Sequence, residues 1–231
     1  FETLVREFRK ADKSYDELLR KHRGHNLTSH IVSLREPTPA YAQAMMQLAN
    51  DNRGTETEFR ALKWLVKTHL VAGTEHRYRS LRSEAAARLL DEHADSPRIA
   101  DAVANIIYAS PKRYDAAEIF MKSPDHEVQG RATLVMANML AQSYDDPFRG
   151  GHPELRERAI ELYEKVVAEY DDITYWDNES IAVPAKKKLF ELRDLQIGSV
   201  APEILGMDLD GKPMRLSEYR GKVVVIHYWQ S

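Results

Sequence analysis

The chain has 231 residues, 43% hydrophobic and 30% charged, enough to bury a sizeable core in one or two globular domains. A formal net charge of -3, from 33 Lys and Arg against 36 Asp and Glu, leaves no broad basic field and argues against nucleic acid or an anionic membrane surface as partner. No apolar run reaches the roughly 18 to 20 residues that span a bilayer. The absence of cysteine removes disulfides and Cys-ligated zinc from these residues, and no other cofactor or metal-ligand set is called for.

From Phe1 to about His22, Phe1, Leu4, Val5, Phe8, Ala11, Tyr15, Leu18 and Leu19 recur at helical spacing among charged residues, the pattern of an amphipathic helix. Gly24 ends it. His22, His25 and His30 follow closely, but the glycine breaks the register that would converge them on a metal, and a solvated polar loop is the better reading. Thr38 and Pro39 form a helix start, a capping hydroxyl before a first-turn proline. The helix runs through Tyr41, Met45, Leu48 and Ala49 until Asp51 to Gly54 breaks it.

Thr55 with Glu58 predicts a capping box ahead of Phe59, Leu62, Leu65, Val66 and Leu70. After a turn at Gly73 and Thr74, Tyr78, Leu81, Ala85, Leu89 and Leu90 mark the next helix, and Ser96 and Pro97 start another with Ile99, Val103, Ile106 and Ile107. Ser110 and Pro111 open a shorter helix carrying Tyr114, Ala117 and Phe120. Ser123 and Pro124 open a longer one, where Gly130, Ala132 and Ala137 would let a neighbour approach closely. A loop from Asp145 to His152 leads to the clearest helix, Pro153 to Tyr170. A connector with Tyr175 and Trp176 precedes the last, about Ile181 to Leu195, with Ala185, Leu189 and Leu192 or Phe190 turned inward and Lys186 to Lys188 on a solvated face.

Helices of this length with short connectors pack as antiparallel hairpins, and the pairs recur at roughly 30 to 40 residues, the period of TPR-like or HEAT-like arrays. Residues 1–195 therefore read as an irregular helical array, mainly α, whose Tyr and Met stripes belong to the core.

Residues 196–231 differ. Pro202 to Leu205 is a short extended run, Asp208 to Lys212 carries an Asp-Gly pair suited to a hairpin turn, and Met214 to Leu216 returns. Ser217 is placed to cap a brief helical turn through Arg220, which Gly221 ends. Val223, Val224, Val225, Ile226, His227, Tyr228 and Trp229 then form a β-branched and aromatic run with no polar alternation before His227, the pattern of a strand covered on both faces. Such a strand needs neighbours that these residues do not supply, so the sequence is expected to be a fragment cut inside a domain, and Phe1, with no initiator Met or signal peptide before it, points the same way.

The order Ile197-Gly198, Ala201-Pro202, Asp208 to Lys212, Leu216 to Lys222 and Val223 to Ser231 resembles the opening of a redoxin domain, with the TlpA/ResA-like thiol-disulfide oxidoreductases of the thioredoxin superfamily as the most similar group. In that family the segment is an N-terminal hairpin plus the first core strand. Tyr228, Trp229, Gln230 and Ser231 correspond to the Phe-Trp-Ala-Ser that leads into Trp-Cys-x-x-Cys, so these four residues would border the redox site. His227 and Gln230 depart from the family pattern, and the cysteine pair is absent from these residues.

The resemblance implies a truncated thioredoxin-like α/β domain after the helical array. It implies a parent enzyme whose thiolate attacks disulfides of protein substrates, and a periplasmic or membrane-tethered location in a bacterium. This chain itself is expected to be inactive, with its helical domain docking a partner or positioning the redox domain. Two alternatives stand beside this: a non-catalytic helical scaffold with a degenerate redoxin tail, and, if a Thr-x-x-Cys follows, a peroxiredoxin-like peroxidase.

Overall fold

A computed structural model describes residues 1–21, 37–68, 78–144, 152–175 and 178–227. Among them are nine α-helices: α1 (Glu2–Lys21), α2 (Thr38–Asp51), α3 (Glu56–Lys67), α4 (Arg79–His93), α5 (Val103–Ala109), α6 (Arg113–Phe120), α7 (His126–Tyr144), α8 (Pro153–Glu169) and α9 (Ala182–Asp194). A 3₁₀ segment, Pro97–Ala102, leads into α5. The protein is mainly helical, as its periodicity predicts. Strands are confined, among the described residues, to β1 (Leu205–Met207) and β2 (Pro213–Arg215).

Each helix packs on its successor in the chain, with α7 against α8 the most extensive contact, and α5 also reaches α3 and α7. One continuous apolar core results, running from Ala42 and Met45 on α2 through Leu62 and Leu65 on α3, Ile106 and Ile107 on α5 and Phe120 on α6 to Val166 and Leu189. Full burial of a side chain such as Leu62 stabilises by about 1.5–3 kcal/mol. On α9 the inward residues are Ala185, Leu189 and Leu192, while Phe190 faces out.

Several helix starts differ from their predicted form. Thr38 is not a cap: Pro37 takes that position without a side-chain acceptor, and Thr38 is turned inward and buried in the first turn of α2. At α3 the Thr55 hydroxyl accepts from Glu58 N (3.4 Å), as a capping box requires. The reciprocal bond is displaced by one residue, since Glu58 Oε2 accepts from Gly54 N (2.5 Å). The long helix α7 is capped by Asp125, whose carboxylate accepts from Val128 N (2.9 Å), two residues later than the Ser123 signal.

Glu58 is buried and pairs with Arg88 of α4, whose Nη1 donates to Asn50 Oδ1 of α2 (2.8 Å). This charge cluster ties three helices together. Removing one partner of a buried pair leaves the other charge without compensation, whereas removing both need not cost stability. Glu58→Ala is expected to lower unfolding free energy by about 3 kcal/mol in urea titrations, and Glu58→Leu with Arg88→Met to recover most of it. A single variant as stable as the double would contradict this.

The close approach expected at the small residues of α7 occurs at Gly130. A Cβ there would meet Ile173 Cδ1 and lie 2.8 Å from the Tyr170 ring, whose hydroxyl donates to Gln129 Oε1 (2.7 Å). Gly→Ala inside a helix ordinarily stabilises by about 0.5–1 kcal/mol. Gly130→Ala is expected to reverse that sign and cost about 1–3 kcal/mol, because the packed turn must shift. A thermal melt at or above the wild-type midpoint would show that the turn yields freely.

Beyond α9 the character changes. Among the described residues Leu192 is the last that is buried, and from Ile197 to His227 none is. The hairpin forms as predicted: Leu205 pairs with Arg215, Gly206 with Met214 and Met207 with Pro213. Its turn is closed by the Asp208 carboxylate, which accepts from Asp210 N (2.9 Å) and Lys212 N (2.8 Å), with Gly211 at φ 77°. Ser217 does not cap the 3₁₀ turn Leu216–Tyr219 but lies within it, and its own N–H is taken by the Glu203 carboxylate (3.0 Å). Gly221 ends that turn at φ 82°, as expected.

The predicted core strand is not formed over its described part. Residues 223–227 have no regular secondary structure and are exposed, because no described strand lies beside them to supply ladder hydrogen bonds.

Candidate functional site

Tyr228, Trp229, Gln230 and Ser231, the residues expected to border a redox site, lie outside the described residues, as do His22, His25 and His30. The approach to them is described. Val223 and Val225 are 98% and 88% exposed, whereas Val224 and Ile226 are 42% and 47% exposed, an alternation with the two-residue period of an extended chain. Nearby, Pro202, Glu203, Leu216, Ser217 and Arg220 line a shallow recess of about 190 Å³. The Glu203 carboxyl there is held below its ordinary value by its hydrogen bonds from Ser217. Among the described residues no group of three or more His, Cys, Asp or Glu converges as a metal site, and no helix is long and apolar enough to cross a membrane.

A larger concavity lies elsewhere among the described residues, an open groove of about 1030 Å³ walled by α1, the start of α2, α3 and the Pro97–Ala102 turn. Its floor is aromatic. Phe8 meets Trp64 edge-on at 5.0 Å and Tyr41 at 5.5 Å, the Arg60 guanidinium lies 4.4 Å from the Phe1 ring, and that of Arg98 4.2 Å from the Phe59 ring.

Four of its five cations are answered by carboxylates. Arg60 pairs with Glu2, Lys63 and Lys67 with Asp101 (2.5 and 2.7 Å), and Arg98 with Glu56 (2.5 Å). Burial pushes the Asp101 carboxyl up, but the two lysines more than offset it and leave it below its ordinary value. Glu2 is likewise held low by Arg60. Compensated charges over an aromatic floor suit binding of an amphipathic segment. They supply no activated nucleophile and no poised acid and base.

Sequence reasoning put Phe8 and Phe59 on apolar helix faces and did not single out Trp64. Phe59 is buried, whereas Phe8 and Trp64 are half-buried at the groove wall. The available signal was the cluster Arg60, Lys63, Trp64 and Lys67, an aromatic residue among cations at helical spacing. Lys186 to Lys188 are on an exposed face, as read, and Lys188 pairs with Glu191 (2.5 Å).

Compared with known proteins, the chain matches no family model, no curated protein and no solved structure.

His93 at the end of α4 packs edge-on against Phe59 at 4.8 Å. Burial lowers its pKa below 6.5, with Arg98 adding to the effect and Glu92 opposing it. A group that prefers to stay neutral when folded contributes stability above its unfolded pKa and loses it as pH falls through that value. Urea titrations from pH 7.5 to 5 are expected to show a steeper loss of stability below about pH 6.5 for the wild type than for His93→Gln. Parallel curves would assign that loss to other groups.

Proposed function

We propose that residues 196–231 are the opening of a redoxin domain and that the chain derives from a thiol-disulfide oxidoreductase, with the helical body docking a partner or positioning the redox site. The observation that carries this reading is the sequence Val223 to Ile226, an apolar ribbon left exposed immediately after a hairpin and a glycine-terminated turn. Four such residues in succession are a poor surface sequence and a good interior strand, and the ordered matches from Ile197 to Ser231 support the redoxin assignment. In this reading the ribbon takes its place within a larger sheet, and Tyr228 to Ser231 lead into the redox site. The helical body is then an irregular TPR- or HEAT-like array, a reading supported by the packing of each helix on the next.

The chemistry belongs to a cysteine pair that these 231 residues do not contain. A cysteine at a helix N-terminus after the first core strand is held as thiolate by backbone N–H groups and the helix dipole. It attacks one sulfur of a protein disulfide, forming a mixed disulfide and expelling the other sulfur as thiolate. The second cysteine attacks the mixed disulfide, the substrate leaves as a dithiol, and the enzyme disulfide is returned to the reduced state by a dithiol donor. A periplasmic or membrane-tethered setting follows from the same resemblance.

The aromatic groove favours a second reading, a helical scaffold whose activity is binding, with the carboxy-terminal segment degenerate. The 231-residue chain is expected to reduce insulin with dithiothreitol no faster than a no-protein control, since it lacks a thiol. The product of the reading frame extended past Ser231 is expected to accelerate the reaction and to lose that activity when its first cysteine is replaced by serine. An extended product with no cysteine within about five residues of Ser231 would overturn the redox reading in favour of the scaffold.

A further inference from the structure

The groove described above compensates four of its five cations. A second recess, of about 460 Å³, compensates none of its own. It is lined by Arg79, Arg82 and Ser83 from the start of α4, and by Tyr108, Ala109, Ser110 and Pro111 where α5 gives way to the turn before α6.

Among the described residues neither Arg79 nor Arg82 has a carboxylate partner, whereas Arg60, Lys63, Lys67 and Arg98 each have one. Arg82 donates from Nη2 to Val66 O (2.7 Å), but its Nε is buried with no hydrogen-bond partner. A guanidinium is always charged, and a buried N–H left unmade costs the desolvation of that group. Burial accordingly lowers the Arg82 pKa, with only the Tyr78 phenol acting the other way.

The position makes the imbalance worse. Arg79 and Arg82 stand at the start of a 15-residue helix that has no acidic residue in its first turn and no side-chain cap, so two cations share space with the positive end of the helix dipole. Arg113 is a third cation close enough to act on the Tyr108 phenol, although burial of that phenol outweighs it. The two lining serines already donate elsewhere, Ser83 Oγ to Ala109 O (2.8 Å) and Ser110 Oγ to Ile106 O (2.8 Å). Among the described residues, what the recess lacks is negative charge.

We propose that this recess binds a phosphomonoester of a small organic molecule. The phosphoryl oxygens take the paired donors of Arg79 and Arg82, as guanidinium forks match oxyanions two bonds at a time. The volume exceeds what a bare phosphate fills and lies in the range of small-molecule sites. Tyr108, 49% exposed, with Pro111 beside it, supplies the apolar wall for the organic part. The site is separate from the carboxy-terminal segment and does not depend on the redox reading.

Phenyl phosphate is the probe, with inorganic phosphate and phenol as controls, all at one ionic strength set with potassium chloride and read by calorimetry on the 231-residue chain. Phenyl phosphate is expected to bind saturably and more tightly than inorganic phosphate, and phenol not at all. Arg79→Gln is expected to weaken phenyl phosphate binding by about tenfold, while the unliganded variant melts at or above the wild-type temperature because a cation has left the positive end of α4. Lack of saturable binding by either phosphate, or wild-type affinity in Arg79→Gln, would overturn the site. Equal affinity for the two phosphates would overturn the assignment to an organic ester.

Discussion

The buried pair of Glu58 and Arg88 is the constraint around which the amino-terminal half is arranged. Two charges removed from water must satisfy each other and their remaining hydrogen-bonding capacity locally, which fixes orientation as well as distance. Glu58 spends its second oxygen on Gly54 N and Arg88 reaches Asn50, while Arg88 Nε stays buried without a hydrogen-bond partner, so α2, α3 and α4 are held in one relative setting. The Gly54 φ of 73° belongs to the same arrangement, since it lets the chain turn tightly enough for its N–H to face the carboxylate. The groove wall formed by α3, with Phe59, Lys63, Trp64 and Lys67, takes its position from this pin.

The two ends of the molecule obey different physics. In the helical body, each element buries one face on the next, and backbone polar groups are satisfied within each helix. In residues 197–227, local hydrogen bonds do nearly everything: Asp208 closes the hairpin turn and Glu203 ties the following turn back to the strand, with no core beneath them. A hairpin of two short strands is marginal in water without further packing. Its order here rests on turn chemistry, which is why the same residues carry a sequence signature.

Most of the helical architecture was legible because 3.6-residue periodicity survives in a single sequence. Leu162, Val166, Leu189 and Leu192 sit inward as their spacing requires. Helix starts were less legible where two candidate caps compete, as Ser123 and Asp125 do, since the winner depends on where the preceding helix releases the chain. The half-buried aromatics of the groove could not be separated from core residues, because an apolar stripe records that a face avoids water without saying whether protein or a cleft covers it. The ribbon at 223–226 was read as a core strand in need of neighbours, and over its described part it stays unpaired. Strand propensity states what a segment suits, and only a neighbouring strand makes it one.

Exposure of that ribbon also bears on self-association. An unpaired run of valine and isoleucine offers free N–H and C=O groups to any other extended chain, including a copy of itself. The charges immediately before it, Glu218, Arg220 and Lys222, are themselves exposed and sit where natural sequences place residues that break such encounters. Gly221 adds a bend between them at φ 82°, so the apolar run cannot extend smoothly into the segment before it. The four apolar residues are thereby electrostatically fenced on their amino-terminal side.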